Sequence, residues 1–230
     1  MTKFKFLLFI AVLVGFAALA HAGLYEGTTA YIRHDFAKAY AELKPLAEQG
    51  NAKAQVFLAF MYDEGHGVTQ DYAEAVKWTR KAVAQGDADA QYLLGQMYHD
   101  GHGVPQDYAE ALKWYRKAAA QGEVPARSDL GWMYAHGEGV PQDYAVAAKW
   151  FREGAEQGDT IAQFNLGLMF HDGEGLPQDS VQALKWLSIS ASQGDAESQK
   201  FRDLLAEKMT PAQIEEAQRL ARKWKPKGQD

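Results

Sequence analysis

The 230-residue chain contains no cysteine. That excludes disulfides, a thiolate nucleophile and thiolate metal sites. It also lacks any excess of positive charge, since 24 Lys and Arg stand against 30 Asp and Glu for a formal net charge of −6. Affinity for nucleic acid rests chiefly on neutralising phosphates, so nucleic acid is not an expected partner. Long apolar runs are missing too, with one exception, Phe6 to Ala20, which falls short of the roughly 20 residues a membrane-spanning helix needs. Lys3 and Lys5 precede that run and Ala20-His21-Ala22 follows it, the pattern of a signal peptide over residues 1–22 with cleavage before Gly23. The alternative is an uncleaved anchor. Neither Ala22 nor Gly23 is a cysteine, so the thiol needed for lipid attachment is absent. Cleavage would leave 208 residues (230 minus 22) and remove two basic residues and no acidic one, shifting the formal charge from −6 to −8. The expected location is periplasmic or secreted, with no stable membrane span after cleavage.

Signs of catalysis are equally scarce. There is no His-Glu-x-x-His pattern and no strand-turn-helix nucleophile elbow. His99 and His102 lie three apart with His102 in a loop, while His66 and His102 are one repeat apart, too distant to share an ion. No catalytic residue, metal or cofactor is expected. An enzyme reading, as a cell-wall hydrolase, is the remotest alternative.

What the chain does have is a period. Asp35, Asp71, Asp107, Asp143 and Asp179 recur every 36 residues, as do Gly50, Gly86, Gly122, Gly158 and Gly194. Residues 71–106 and 107–142 agree at 23 of 36 positions, far too many for chance. Such periods mark stacked supersecondary units that cannot bury their apolar faces alone.

Within one unit, Asp71 precedes Tyr72-Ala73-Glu74-Ala75 and reads as a helix N-cap, with Glu74 placed to complete a capping box. Tyr72, Ala75, Trp78 and Ala82 follow at helical spacing and form a buried stripe. Gly86 ends that helix, Asp87 caps the next, and Gly101-His102-Gly103-Val104-Pro105-Gln106 turns the chain toward Asp107. The Gly-x-Gly loops lie after helices, not after strands, so they read as turns and not as phosphate cradles. The spacing predicts a helix over 36–49 standing alone, then pairs 51–64 with 72–85, 88–100 with 108–121, 124–136 with 144–157, 160–172 with 180–193, and 196–208 with 211–224. Residues 23–34 read as a leader, 35–208 as the array, and 209–230 as a capping helix with a fraying end. Trp78, Trp114, Trp150 and Trp186 read as repeat core, with the central Trp114 expected to matter more than Trp186 near the end.

Three elements together resemble the Sel1-like repeat family, a relative of tetratricopeptide repeats. They are Ala90-Gln91-x-x-Leu94-Gly95-x-Met97-Tyr98, Gly101-x-Gly103-Val104-Pro105-Gln106-Asp107, and Tyr108-Ala109-x-Ala111-x-Lys113-Trp114. The resemblance spans about residues 35–208. It implies an all-α, right-handed superhelical solenoid of antiparallel helix pairs. It also implies adaptor or assembly roles through protein contacts in bacterial exported proteins. Some exported relatives are tied to envelope processes, and a disulfide-rich subgroup is described as penicillin-binding. A chain without cysteine departs from that subgroup.

Comparing the units separates shared from private positions. Ala54, Ala90, Ala126 and Ala162 stay fixed, as do the leucines at 58, 94, 130 and 166 and the methionines at 61, 97, 133 and 169. A second stripe varies: Val56, Phe60 and Asp63; Tyr92, Gln96 and His99; Ser128, Trp132 and Ala135; Phe164, Leu168 and His171. Spacings of four and three put each trio on one helical face. Phe60, Tyr92, Trp132 and Phe164 are read as an aromatic ladder along a concave groove, with Gln96, His99 and His171 beside it. Such a groove fits a peptide or an unidentified envelope protein, and a glycan strand or peptidoglycan stacked on the rings is the second reading. The alternative is that the rings pack between units. Arg127 replaces a Gln found in the neighbouring units; it is open to holding a carboxylate of a ligand or to pairing with Asp129 or Glu123.

Overall fold

Asp or Asn before most of the apolar stripes, and Thr210 before the last, set where the helices begin. The computed structural model describes residues 22–227; the expected signal peptide lies outside them except for Ala22, as do residues 228–230. All regular structure among the described residues is helical: α1 (22–32), α2 (Phe36–Glu48), α3 (Ala52–Glu64), α4 (Tyr72–Val83), α5 (Ala88–Asp100), α6 (Tyr108–Ala120), α7 (Val124–His136), α8 (Tyr144–Glu156), α9 (Thr160–Asp172), α10 (Ser180–Ser192), α11 (Ala196–Ala206) and α12 (Pro211–Lys223). The chain forms two compact units, one ending at Asp107 and the other beginning at Tyr108. Within each, antiparallel helices stack on their sequence neighbours in an all-α repeat architecture.

The caps act locally. The Asp71 carboxylate accepts from the amides of Ala73 and Glu74, and Asp179 does the same for Val181 and Gln182. Glu74 does not complete a capping box; its carboxylate takes the Lys77 ammonium at 2.7 Å instead. Gly65, Gly101, Gly137 and Gly173 end their helices in the left-handed conformation. The second loop glycine has a separate duty. Gly175 has φ +67°, and a Cβ there would lie 2.1 Å from the Tyr144 carbonyl oxygen. The loop after α9 therefore presses its backbone onto the start of α8, a purely structural use of Gly-x-Gly.

Close helix approach fixes the small residues. A Cβ on Gly131 would meet the Phe151 ring at 2.8 Å, and one on Gly167 would meet Leu187 Cγ at 2.9 Å. In the second unit the core gathers Ala147, Phe151, Ala155, Ala162, Leu166, Met169, Trp186 and Ile189. In the first, Val56, Ala82 and Ala90 form a cluster with Phe60 against it. Buried glutamines tie one helix pair to the next. Gln55 Nε2 donates to the Ala47 carbonyl at 3.0 Å and accepts from Gln85 at 2.8 Å. Gln163 repeats this with Ala155 at 3.2 Å and Gln193 at 2.7 Å.

The ends differ from expectation. Residues 22–32 are helical, and α2 does not stand alone: Gly27 sits so close to Leu43 that a Cβ would lie 2.6 Å from its Cγ, and Tyr31 packs edge-on to Phe36 and Phe57. At the other end α11 and α12 do not pair with each other; both pack on α10. The tail does not fray before residue 228. The Lys227 amide donates to the Glu156 carbonyl at 2.7 Å, its ammonium meets the Glu156 carboxylate at 2.5 Å, and Trp224 packs edge-on to Trp186.

Burial reorders the tryptophans. Trp78 and Trp186 are buried, whereas Trp114 and Trp150 are half-buried. Lysines cover the faces of three of them, Lys81, Lys117 and Lys185 standing 3.9, 3.9 and 4.0 Å from the rings of Trp78, Trp114 and Trp186. Position in the array therefore does not decide the cost of truncation; lost contact does. Trp186→Ala is expected to cost about 3–5 kcal/mol in urea unfolding, with Trp114→Ala costing less. A larger loss for Trp114→Ala would restore the ordering by position.

Candidate functional site

Arg127 stands where other repeats carry the buried Gln55, Gln91 and Gln163, and it does the work of Gln55 and Gln163. It is only 8% exposed. Its Nη2 donates to the Ala119 carbonyl at 3.1 Å, and Nη1 donates to the carbonyls of Gly122 and Glu123 and to Gln157 Oε1 at 3.1–3.2 Å. The guanidinium thus satisfies carbonyls at the end of α6 and bridges to the end of α8. The Glu153 carboxylate lies 3.8 Å from Nε. This burial and bonding speak for a structural role of Arg127 over a groove contact. The donors that a ligand would need are already used within the fold.

The aromatic ladder also resolves differently. Two rows, offset by four residues, run through the first helices of the pairs. Positions 56, 92, 128 and 164 make one: Val56 and Ser128 are buried, and Tyr92 and Phe164 half-buried. Tyr92 accepts from Gln96 Nε2 at 3.1 Å, and Phe164 packs edge-on to Phe201 at 5.6 Å and against the cluster of Leu184, Leu187 and Leu205. Positions 60, 96, 132, 168 and 204 make the other. Here Phe60, Gln96 and Leu168 are half-buried, while Trp132 is 44% and Leu204 50% exposed. Phe60 and Tyr92 belong to the first unit and Trp132 and Phe164 to the second; Trp132 and Phe164 do not lie in one row.

In the second unit the outward row is apolar. Trp132 on α7, Leu168 on α9 and Leu204 on α11 follow one another by 36 residues, and exposed Ile161 and Phe201 lie alongside. Trp132 stacks on His136 with ring centroids 3.8 Å apart, and the two border a cleft of about 190 Å³ with Leu168, Asn165, Asp172 and Glu174. Leu204, Ile161 and Phe201 were missed by comparing only the regular units; counting 36 past Leu168 finds the first of them. Leu204 and Trp132 share a repeat position.

The polar stripe residues are held locally. Nδ1 of His99 lies 2.7 Å from Asp100, and that of His171 lies 2.6 Å from Asp172. His102 stacks on Tyr72 at 4.2 Å and its Nδ1 lies 3.4 Å from Asp63 Oδ1, a buried oxygen with no hydrogen bond. Burial pushes the Asp63 carboxyl up from its ordinary range, and the nearby His102 opposes that shift only in part. Among the described residues no group of three or more His, Cys, Asp or Glu could hold a metal. No helix among them is long and apolar enough to cross a membrane.

A stack of helix pairs tied by buried amides, with private residues on one exposed face, defines a helical-repeat scaffold. The Sel1 repeat model matches residues 52–87, 88–123, 124–159 and 160–195, so this chain belongs to the Sel1 repeat family. Repeats of this family are in general non-catalytic protein-interaction scaffolds. The chain is similar to a Sel1 repeat protein from Oxalobacter formigenes, at 38% identity and TM-score 0.71 over 81% of this chain and 55% of that one. It is also similar to a protective antigen present in uropathogenic Escherichia coli strains, at 36% identity and TM-score 0.74 over 90% of this chain and 45% of that one. The chain thus spans about half the length of these two proteins. No curated protein matches it.

Three substitutions test this assignment of roles. Arg127→Gln should leave stability nearly unchanged, because Gln makes the equivalent bond at 55 and 163. Arg127→Ala strands buried carbonyls and should cost about 1–3 kcal/mol; equal stability of the two variants in denaturant titration would contradict a stapling role. Asp63→Asn should raise the melting temperature at pH 7. A carboxyl whose folded pKa is raised gives stability that is intact below its unfolded pKa and lost as pH rises through the folded value. The gain from Asn should therefore shrink as pH falls into the carboxylate range; a gain independent of pH would refute the burial cost.

Proposed function

We propose that this chain is a non-enzymatic adaptor of the bacterial cell envelope that binds a protein or peptide on the exposed face of α7, α9 and α11. The observation that carries it is the apolar outward row. Trp132 and Leu204 occupy one repeat position, and each leaves about half its surface in water. Scattered exposed leucines mean little, but exposed Trp132, Ile161, Phe201 and Leu204 with half-buried Leu168, on the alternate helices α7, α9 and α11, are the kind of apolar surface that marks interaction sites. Tryptophan is also enriched among the few residues that dominate binding energy. The envelope location rests on the charged, apolar and small-residue pattern of residues 1–22.

An exposed indole ring can equally stack on a sugar, which gives the second reading, binding to a peptidoglycan glycan strand. The experiment that separates the two is retention of wild type and the Trp132→Ala/Leu204→Ala double variant on envelope extract and on purified peptidoglycan. The adaptor reading predicts a protein partner whose binding the double variant weakens by roughly 30-fold or more, with unfolding midpoints nearly unchanged. Retention on peptidoglycan without a protein partner favours the glycan reading, and retention of a partner unaffected by the double variant sinks the face assignment.

A further inference from the structure

The last helix leaves the repeat register, and the departure opens a site. Before α10 the chain crosses a seven-residue loop from Gly173 to Asp179. After α11 that Gly-rich loop is missing, and only Glu207-Lys208-Met209-Thr210 precede Pro211. The period would start the next helix 36 residues after Ser180, at 216, yet α12 starts at Pro211. It rests on α10, as α11 does. Between them remains a trough of about 970 Å³, with α10 as floor, α11 and α12 as walls, and Gly158 and Pro226 at one end. It shares no residue with the Trp132 cleft.

Its lining divides by chemistry. Half-buried Ile214 and Trp224 supply apolar surface, and Leu184 and Ile189 lie nearly covered at its floor. Arg202 on the α11 wall is tied to Asp203 at 2.8 Å. Arg222, in the last turn of α12, has no carboxylate partner among the described residues. Among the described residues, Arg222 is thus the trough's one cation without a carboxylate partner, in a chain of net charge −6. Its volume falls within the range of small-molecule sites, about 300–1,000 Å³.

We propose that this trough binds a single-chain amphiphilic carboxylate, a medium- or long-chain fatty-acid anion. The acyl chain lies on Leu184, Ile189, Ile214 and Trp224, and the carboxylate meets the Arg222 guanidinium, whose planar fork suits a carboxylate. A single unpaired guanidinium among the described residues suits a singly charged head, and the apolar lining suits a chain over a compact polar anion. The site is independent of the protein-binding face.

Titration calorimetry with dodecanoate below its micelle concentration tests this, with dodecanol as the uncharged control of equal length. Saturable one-to-one binding of dodecanoate is expected. Both the exchange of dodecanoate for dodecanol and Arg222→Gln should weaken binding roughly tenfold or more, the worth of a charged hydrogen bond. Gln218→Trp, which places a ring in the trough from an exposed position, should abolish binding while leaving the helical circular dichroism unchanged. No saturable binding into the millimolar range, equal affinity for dodecanol and dodecanoate, or binding indifferent to both variants would overturn the proposal.

Discussion

The stack depends on one buried polar contact: on α3, α7 and α9 a side chain near the helix start satisfies carbonyls at the end of the preceding second helix. Gln55 does so for Ala47, Gln163 for Ala155, and Arg127 for Ala119. A helix end buried without partners is costly, and apolar packing alone does not fix how one pair sits on the next. The buried amide or guanidinium does both, and then reaches to the end of the following second helix through Gln85, Gln157 or Gln193. Alanines at 54, 90, 126 and 162, all fully buried, permit the close approach that these bonds require.

The repeats spend much of their inward face and first turn on such junctions, and the outward row is left to differ without that constraint. Asp71 and Asp179 recur because helix starts recur, and the loop glycines because one backbone lies on another. Trp132, Leu168 and Leu204 are bound by no such duty. In the second unit they turn an otherwise repetitive surface into a particular one.

Much of this was legible in the sequence, and the failures have physical causes. Cap-to-glycine spacing placed the helices within a residue or two, as for 72–85 against Tyr72–Val83. Helix α1 was missed because residues 22–32 carry none of the repeat's marks. The last pair was misjudged because the sequence shows that the loop is shorter but not that α12 then packs on α10. Tyr92 and Phe164 were grouped with Phe60 and Trp132 because a four-residue offset keeps two side chains on one helical face. Only the neighbouring helices decide which of the two is covered. Arg127 read as a ligand contact because its partners are backbone carbonyls, which leave no trace in side-chain composition.

The central claim is that the outward row, and not the row four residues before it, meets the partner. Site-specific photocrosslinking in cells tests it most directly, with a photoreactive phenylalanine analogue placed in turn at positions 132, 168, 204 and 164. The account predicts one crosslinked protein adduct shared by 132, 168 and 204 and none from 164, which packs against Phe201. An adduct from 164 with silence at 132 and 204 would contradict it.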